Sequence, residues 1–172
     1  DSGDVIQRAV EQGITRMVTI GTDCEDSAEC IALAKNNLPV YAAVGIHPCS
    51  VTEITEDENW LETIHQLAIA PKVAAIGEIG LDYFHSPPEG WSEEAYRQRQ
   101  ADFFRAQLEL AAELGLNVVI HQRDKAHQCW SDILQIMEPF HGKLRAVFHC
   151  FTHSWAIAKP LIEKGHLISF TG

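Results

Sequence analysis

Four polar residues stand where apolar runs stop, and their types suit work on a metal ion or an anion. His47 follows Val40-Tyr41-Ala42-Ala43-Val44-Gly45-Ile46 and precedes Pro48. Glu78 interrupts the run from Val73 to Leu81, while His121 ends Val118-Val119-Ile120 and His149 ends Ala146-Val147-Phe148. A carboxylate within an apolar strand is costly unless it is paired or coordinates a cation. The nearby Gly77 and Gly80 permit close approach of backbone or ligand. Taken singly, Glu78 fits a buried pair with an Arg equally well, and a lone histidine is more often a satisfied core residue than a ligand. Repetition changes the balance. Two histidines at matching ends of successive strands, with a glutamate one strand earlier, offer three N/O ligands and an open position. That is the composition of a hydrolytic divalent-metal site.

Further residues have less decided roles. Arg123 lies two residues beyond His121, on the same side of an extended strand. His47 is open to three readings: a fourth ligand, a holder of an anionic substrate, or a proton shuttle. Asp82 is a loop cap or a pocket acid. His65, His85, His127, His141 and His166 have no strand-end placement and read as surface. Trp91 and Trp130 lie beside helical patterns and read as packing or rim residues, not base-stacking platforms. Cys150, next to His149, should alternate to the opposite face and join the core.

The elements that must position these groups follow a short period of helix, stop and apolar strand. The strands are predicted at Met17–Gly21, Val40–Ile46, Val73–Ile79, Asn117–His121, Arg145–His149 and His166–Phe170. They are short and apolar on both faces, as buried parallel strands are. The longest helix is predicted over Glu93–Leu114, with Phe103, Gln107, Leu110 and Leu114 along one side and Phe104, Leu108 and Ala111 beside them. Gly13, Gly115 and Gly165 stand at helix C-caps. Thr55 and Glu58 fit a capping box opening the helix that contains Trp60, Leu61, Ile64 and Leu67. Pro160 should break or restart the helix within Ser154–Lys164. Alternating helices and strands give an α/β fold with a parallel sheet. Titratable residues at the C-terminal ends of four strands favour a closed barrel, and no GxGxxG or P-loop supports an open doubly wound sheet.

Composition sets outer limits. The 172 residues are 46% hydrophobic and read as one domain, residues 1–172. With 13 Lys+Arg against 24 Asp+Glu the net charge is −11, the wrong sign for a protein that coats nucleic acid. Any nucleic-acid recognition must be local, at an end or in a small cleft, where bound metal ions reverse the field. Five scattered cysteines without a CxxC motif read as reduced thiols of a cytoplasmic protein. No apolar run approaches the roughly 20 residues of a membrane span, and no signal peptide opens the sequence. The first residue is Asp1, not Met, which implies residues before it.

Four blocks, in this order and spacing, closely resemble the TatD family: Gly45-Ile46-His47-Pro48, Gly77-Glu78-Ile79-Gly80-Leu81-Asp82, His121-Gln122-Arg123-Asp124 and Phe148-His149-Cys150-Phe151-Thr152. The resemblance runs over essentially the whole sequence, with Ile168–Gly172 matching the seventh barrel strand. It implies a TIM-type (β/α)8 barrel, of which this chain covers strands two to seven. It also implies a metal-dependent hydrolase, typically a deoxyribonuclease with 3′ exonuclease activity on single-stranded DNA or 3′ ends, using two divalent ions (Zn²⁺, Mg²⁺ or Mn²⁺). On this resemblance Glu78 is a ligand shared between two ions, and His121 and His149 are ligands of one. His47 and Arg123 face the substrate phosphate, and Asp82 is a further pocket residue.

There are departures. The family's His-x-His pair on the first strand and the Glu-Thr-Asp stretch on the eighth are absent, and Lys125 stands where an Ala is usual. Six strands of eight would leave two apolar edges open, so the chain is expected to be part of a longer, monomeric protein or a fragment of one. Two other readings stay open: a hydrolase of small cyclic amides or esters on the same fold, and an inactive truncated barrel acting as a binding module.

Overall fold

A computed structural model describes residues 2–55, 57–125 and 128–171; His127, read as surface from the sequence, lies outside the described residues. Six strands pair in parallel and in chain order: β1 (Met17–Ile20), β2 (Val40–Val44), β3 (Val73–Asp82), β4 (Asn117–Arg123), β5 (Ala146–Phe148) and β6 (Leu167–Ile168). Helices α1 (Ser2–Glu11), α2 (Cys24–Asn36), α3 (Trp60–Ala68), α4 (Glu93–Leu114), α5 (Gln128–Met137) and α6 (Trp155–Glu163) complete the described α/β pattern. None is long and apolar enough to cross a membrane.

Strand alternation separates two environments. Ala42, Val44, Ile76, Val118, Ile120, Ala146 and Phe148 pack with helical Ile31, Ile64, Phe104, Leu108, Ile133 and Leu161 in the main core. Their neighbours Ala43, Ala75 and Val119 form a small separate cluster with Ile20 and Val147 on the other face. A doubly wound sheet has helices on both faces; here they cover one. The sheet therefore curls as a half-barrel with an inner face. Burying each large side chain of the main core, such as Phe104 or Ile64, contributes about 1.5–3 kcal/mol. The inner face is less covered, with Val18 51% and Leu167 50% exposed.

Helix α4 follows its predicted stripe. Ser92 Oγ accepts from the Ala95 N–H at 3.1 Å, and Gly115 ends the helix in the left-handed region at φ 67°. Gly13 and Gly165 also have positive φ. Two glutamines, Gln100 and Gln107, sit two turns apart on the buried face of α4 and are fully enclosed. Gln107 accepts from the Ile46 N–H at 2.7 Å and donates to the Ile46 carbonyl at 3.1 Å. Gln100 does the same for Asp82, at 2.9 and 3.1 Å. Each amide thus satisfies backbone groups where a strand leaves its ladder, which burial would otherwise make costly.

Several expectations are corrected. Helix α6 continues through Pro160, forgoing the bond an N–H there would give Ala156. Thr55 and Glu58 do pair, the Thr55 N–H and hydroxyl both donating to Glu58 Oε1 at 3.0 Å. Their turn lies ahead of α3, however, which starts at Trp60 with Asn59 as N-cap. Strands β5 and β6 are shorter than predicted and β3 runs three residues further. His166 is buried, its Nδ1 accepting from the Ala146 N–H at 3.2 Å. Trp130, by contrast, packs in the core, one of the two placements expected of it, stacked on Phe148 with ring centroids 5.4 Å apart.

Candidate metal centre

A register irregularity aims Glu78 at the site. Ile76 pairs with Val118 and Ile79 with Ile120, so Gly77 and Glu78 together oppose the single residue Val119. Regular alternation from Ile76 would turn Glu78 toward the helices. The extra residue, a bulge, returns it to the inner face. Two glycines make this passage feasible. A Cβ on Gly77 would stand 2.6 Å from Val119 Cβ, and one on Gly80 would stand 2.1 Å from the His121 carbonyl oxygen. Gly80 also has φ +139°, which L side chains rarely adopt.

The other strand ends deliver their groups by plain alternation. His121 and Arg123 follow Val119 on the inner face, and His149 follows Val147. All six residues singled out in the sequence, His47, Glu78, Asp82, His121, Arg123 and His149, line one cavity of about 580 Å³.

His121 bridges the two acids. Its Nδ1 is 3.1 Å from Glu78 Oε1 and its Nε2 is 3.1 Å from Asp82 Oδ2. Burial opposes the charged imidazole, but the hydrogen bonds to Asp82 and Glu78 prevail and raise its pKa to about 9. Burial likewise disfavours both carboxylates in their charged form. Hydrogen bonding to His121 nevertheless holds Glu78 and Asp82 below the usual carboxylate range. A positive charge thus already sits between two acids where a divalent cation would be held.

His47 behaves differently. Burial, then repulsion by His121, push its pKa down to about 4, so the ring is neutral near pH 7. Its Nδ1 accepts from the Cys49 N–H at 3.1 Å, which places the ring proton on Nε2. In that tautomer His47 is a donor toward the cavity. The His47 and His121 rings meet edge to face, with centroids 4.4 Å apart.

Donor atoms of His47, Glu78 and His121 lie within 4.8 Å of one another, and two nitrogens with a carboxylate suit a borderline divalent ion. The site residues therefore fit such an ion. His149 lines the same cavity but stands outside that tight group. Asp82 proves to be both things the sequence allowed. Its Oδ1 accepts from the Phe84 and His85 N–H groups at 2.9 and 3.0 Å, capping the turn, while Oδ2 faces His121 and His85.

That turn brings in a residue read as surface from the sequence. His85 Nδ1 is 2.8 Å from Asp82 Oδ2, and His85 lines the cavity. The Asp-x-x-His spacing was its available signal. Cys49, Asp82 and His85 form a second cluster of possible cation donors, and burial, then the Asp82 charge, push the Cys49 thiol up to about 11. Cys150 is corrected: β5 ends at Phe148, Cys150 turns at φ 50°, and it lines the cavity beside His149. All five thiols are free.

Residues 1–172 match the protein family described as TatD related DNase. Over 177 residues the chain is 36% identical to the 3′-5′ ssDNA/RNA exonuclease TatD of Erwinia tasmaniensis, covering 100% of this chain and 62% of that protein. It is 31% identical over 173 residues to the uncharacterized metal-dependent hydrolase YabD of Bacillus subtilis, covering 100% and 63%. The crystal structure of YjjV, a TatD homologue from Escherichia coli K12, superposes with a TM-score of 0.80 at 29% identity, covering 97% of this chain and 61% of that one. The chain thus spans a little under two thirds of the length of the curated relatives it matches.

Proposed function

The chain belongs to the family of TatD related DNases, and on that premise we propose that it hydrolyses phosphodiester bonds at the 3′ ends of single-stranded DNA with the help of divalent metal ions. The observation that carries this reading is the convergence of His47, Glu78, Asp82, His121, Arg123 and His149 on one cavity, with His121 between two ionised acids. The exonucleases among its relatives act on single-stranded DNA and RNA by name. We read residues 1–172 as one barrel domain covering strands two to seven. Five free thiols fit a reducing, cytoplasmic setting, and a monomer belongs to the same reading.

Glu78, His121 and His149 would hold one ion, with Glu78 shared with a second; Zn²⁺, Mg²⁺ and Mn²⁺ all suit these donors. A bound ion supplies a water of lowered pKa and polarises the phosphoryl oxygen. The chain's own residues do the rest. His47 donates from Nε2 to a phosphate oxygen, and Arg123 neutralises charge growing on the same group. Asp82 fixes the ring orientation of His121. The water oxygen bonds to phosphorus and gives up a proton, the bond to the leaving 3′-oxygen breaks, and that oxygen takes up a proton in turn, so none is gained or lost overall.

The test is release of mononucleotides from a 5′-labelled single-stranded oligonucleotide by the intact protein. We expect dependence on added Mn²⁺ or Mg²⁺, loss with chelator, and a fall of roughly a hundredfold or more in Glu78→Ala. Undiminished activity in that variant would overturn the reading.

A further inference from the structure

Beyond the turn capped by Asp82, one aromatic ring carries two cations. Arg123 Cζ lies 4.2 Å and Lys125 Nζ 4.6 Å from the centroid of Phe84. Phe84 is 37% exposed and takes no part in the core. Arg123 lines the central cavity, whereas Phe84 and Lys125 line an adjoining one of about 310 Å³ with Tyr83 and Arg97. His85 lines both.

The charges here are unusual for a chain of net charge −11. Two acids, Glu93 and Asp124, line that adjoining cavity as well, and each already has a partner. Glu93 pairs with Arg97, Asp124 Oδ2 accepts from the Cys129 N–H at 2.8 Å, and Asp82 faces His85 and His121. Among the described residues, no carboxylate forms an ion pair with Arg123 or Lys125. Two like charges held at one ring repel, and an anion beside them relieves that repulsion. Both cations lie over the ring, which holds them close together while their charges stay available to a phosphate.

We propose that Lys125, held on Phe84 together with Arg123, forms a subsite for the phosphate next to the scissile one in a single strand. This rests on the exonuclease reading above and extends it. The scissile phosphate sits at Arg123 and His47 and the neighbouring phosphate at Lys125.

The test compares two substrates of the metal-loaded intact protein: a thymidine hexamer, and the small diester methyl 4-nitrophenyl phosphate, which has no adjoining nucleotide. Phe84→Leu keeps an apolar side chain but releases both cations, so we expect its KM to rise roughly threefold or more on both substrates, since Arg123 meets the scissile phosphate of each. For Lys125→Ala we expect a rise of about three- to tenfold for the hexamer, with the slope of log affinity against log salt shallower by about 0.7. On the small diester Lys125→Ala should stay within about twofold of wild type. For Lys125→Ala, equal losses on both substrates, or an unchanged hexamer KM and salt slope, would overturn the subsite while leaving the exonuclease reading intact. A wild type that cleaves neither substrate sinks both.

Discussion

At the residue scale, what distinguishes the site is that its two central histidines are in opposite protonation states. His47 is neutral near pH 7 and donates from Nε2, whereas His121 is an imidazolium held by Glu78 and Asp82. A pKa raised to about 9 means this pairing stabilises the ion-free protein fully below the ordinary value of 6.5. The contribution is lost as pH rises through about 9. A cation binding at His121 must displace that proton. We therefore expect the Mn²⁺ dissociation constant, measured by equilibrium dialysis, to tighten about tenfold per pH unit between roughly pH 7 and 8.5. A pH-independent affinity would remove the imidazolium from the account. Much of this scale was legible in the sequence, because a charged or polar residue ending an apolar run has few bland explanations once it recurs. The protonation states were not, since they depend on partners 39 and 43 positions away in the chain. His85 escaped notice because a turn, not a strand, brings it to the cavity.

At the element scale, the bulge in β3 and the two amides of α4 hold the geometry. Gly80→Ala would drive a methyl group into the His121 carbonyl, a backbone atom that cannot move without unpairing β3 from β4. Loss of about 3 kcal/mol or more is expected, read by urea unfolding, and a stability within experimental error of wild type would refute the close approach. Gln107→Leu should cost about 2–4 kcal/mol by leaving the Ile46 N–H and carbonyl unsatisfied. Gln98→Leu, on the exposed face of the same helix, should stay within about 0.5 kcal/mol. Strand and helix order was legible from periodicity, and the long amphipathic stretch of α4 appeared almost to the residue. The bulge was not, because periodicity reads a continuous apolar run and passes over one extra residue. Gln100 and Gln107 have no signature in a hydrophobic pattern, since their value lies in backbone groups of distant strands. Cys150 was misplaced for a related reason: alternation was extended past the last paired residue of β5.

At the scale of the whole molecule, helices on a single face of a sequentially ordered parallel sheet bear out the barrel-type α/β reading in its coarser form. On the proposed function, a net charge of −11 leaves nucleic-acid affinity to the few cations at the two adjoining cavities. With two phosphates neutralised, the slope of log affinity against log salt for a single strand should be about −1.4. A slope several times steeper would show a broad electrostatic footprint that this surface does not offer. Such a salt series also separates local recognition from general attraction to polyanions. The most direct test of the central claim, that Glu78 anchors a divalent-metal centre, is calorimetric titration of Mn²⁺ into the intact protein and its Glu78→Ala variant at pH 8. The account predicts saturable binding with proton release in the wild type, and a loss of affinity of about a hundredfold or more in the variant. Equal affinity in the two proteins would contradict it.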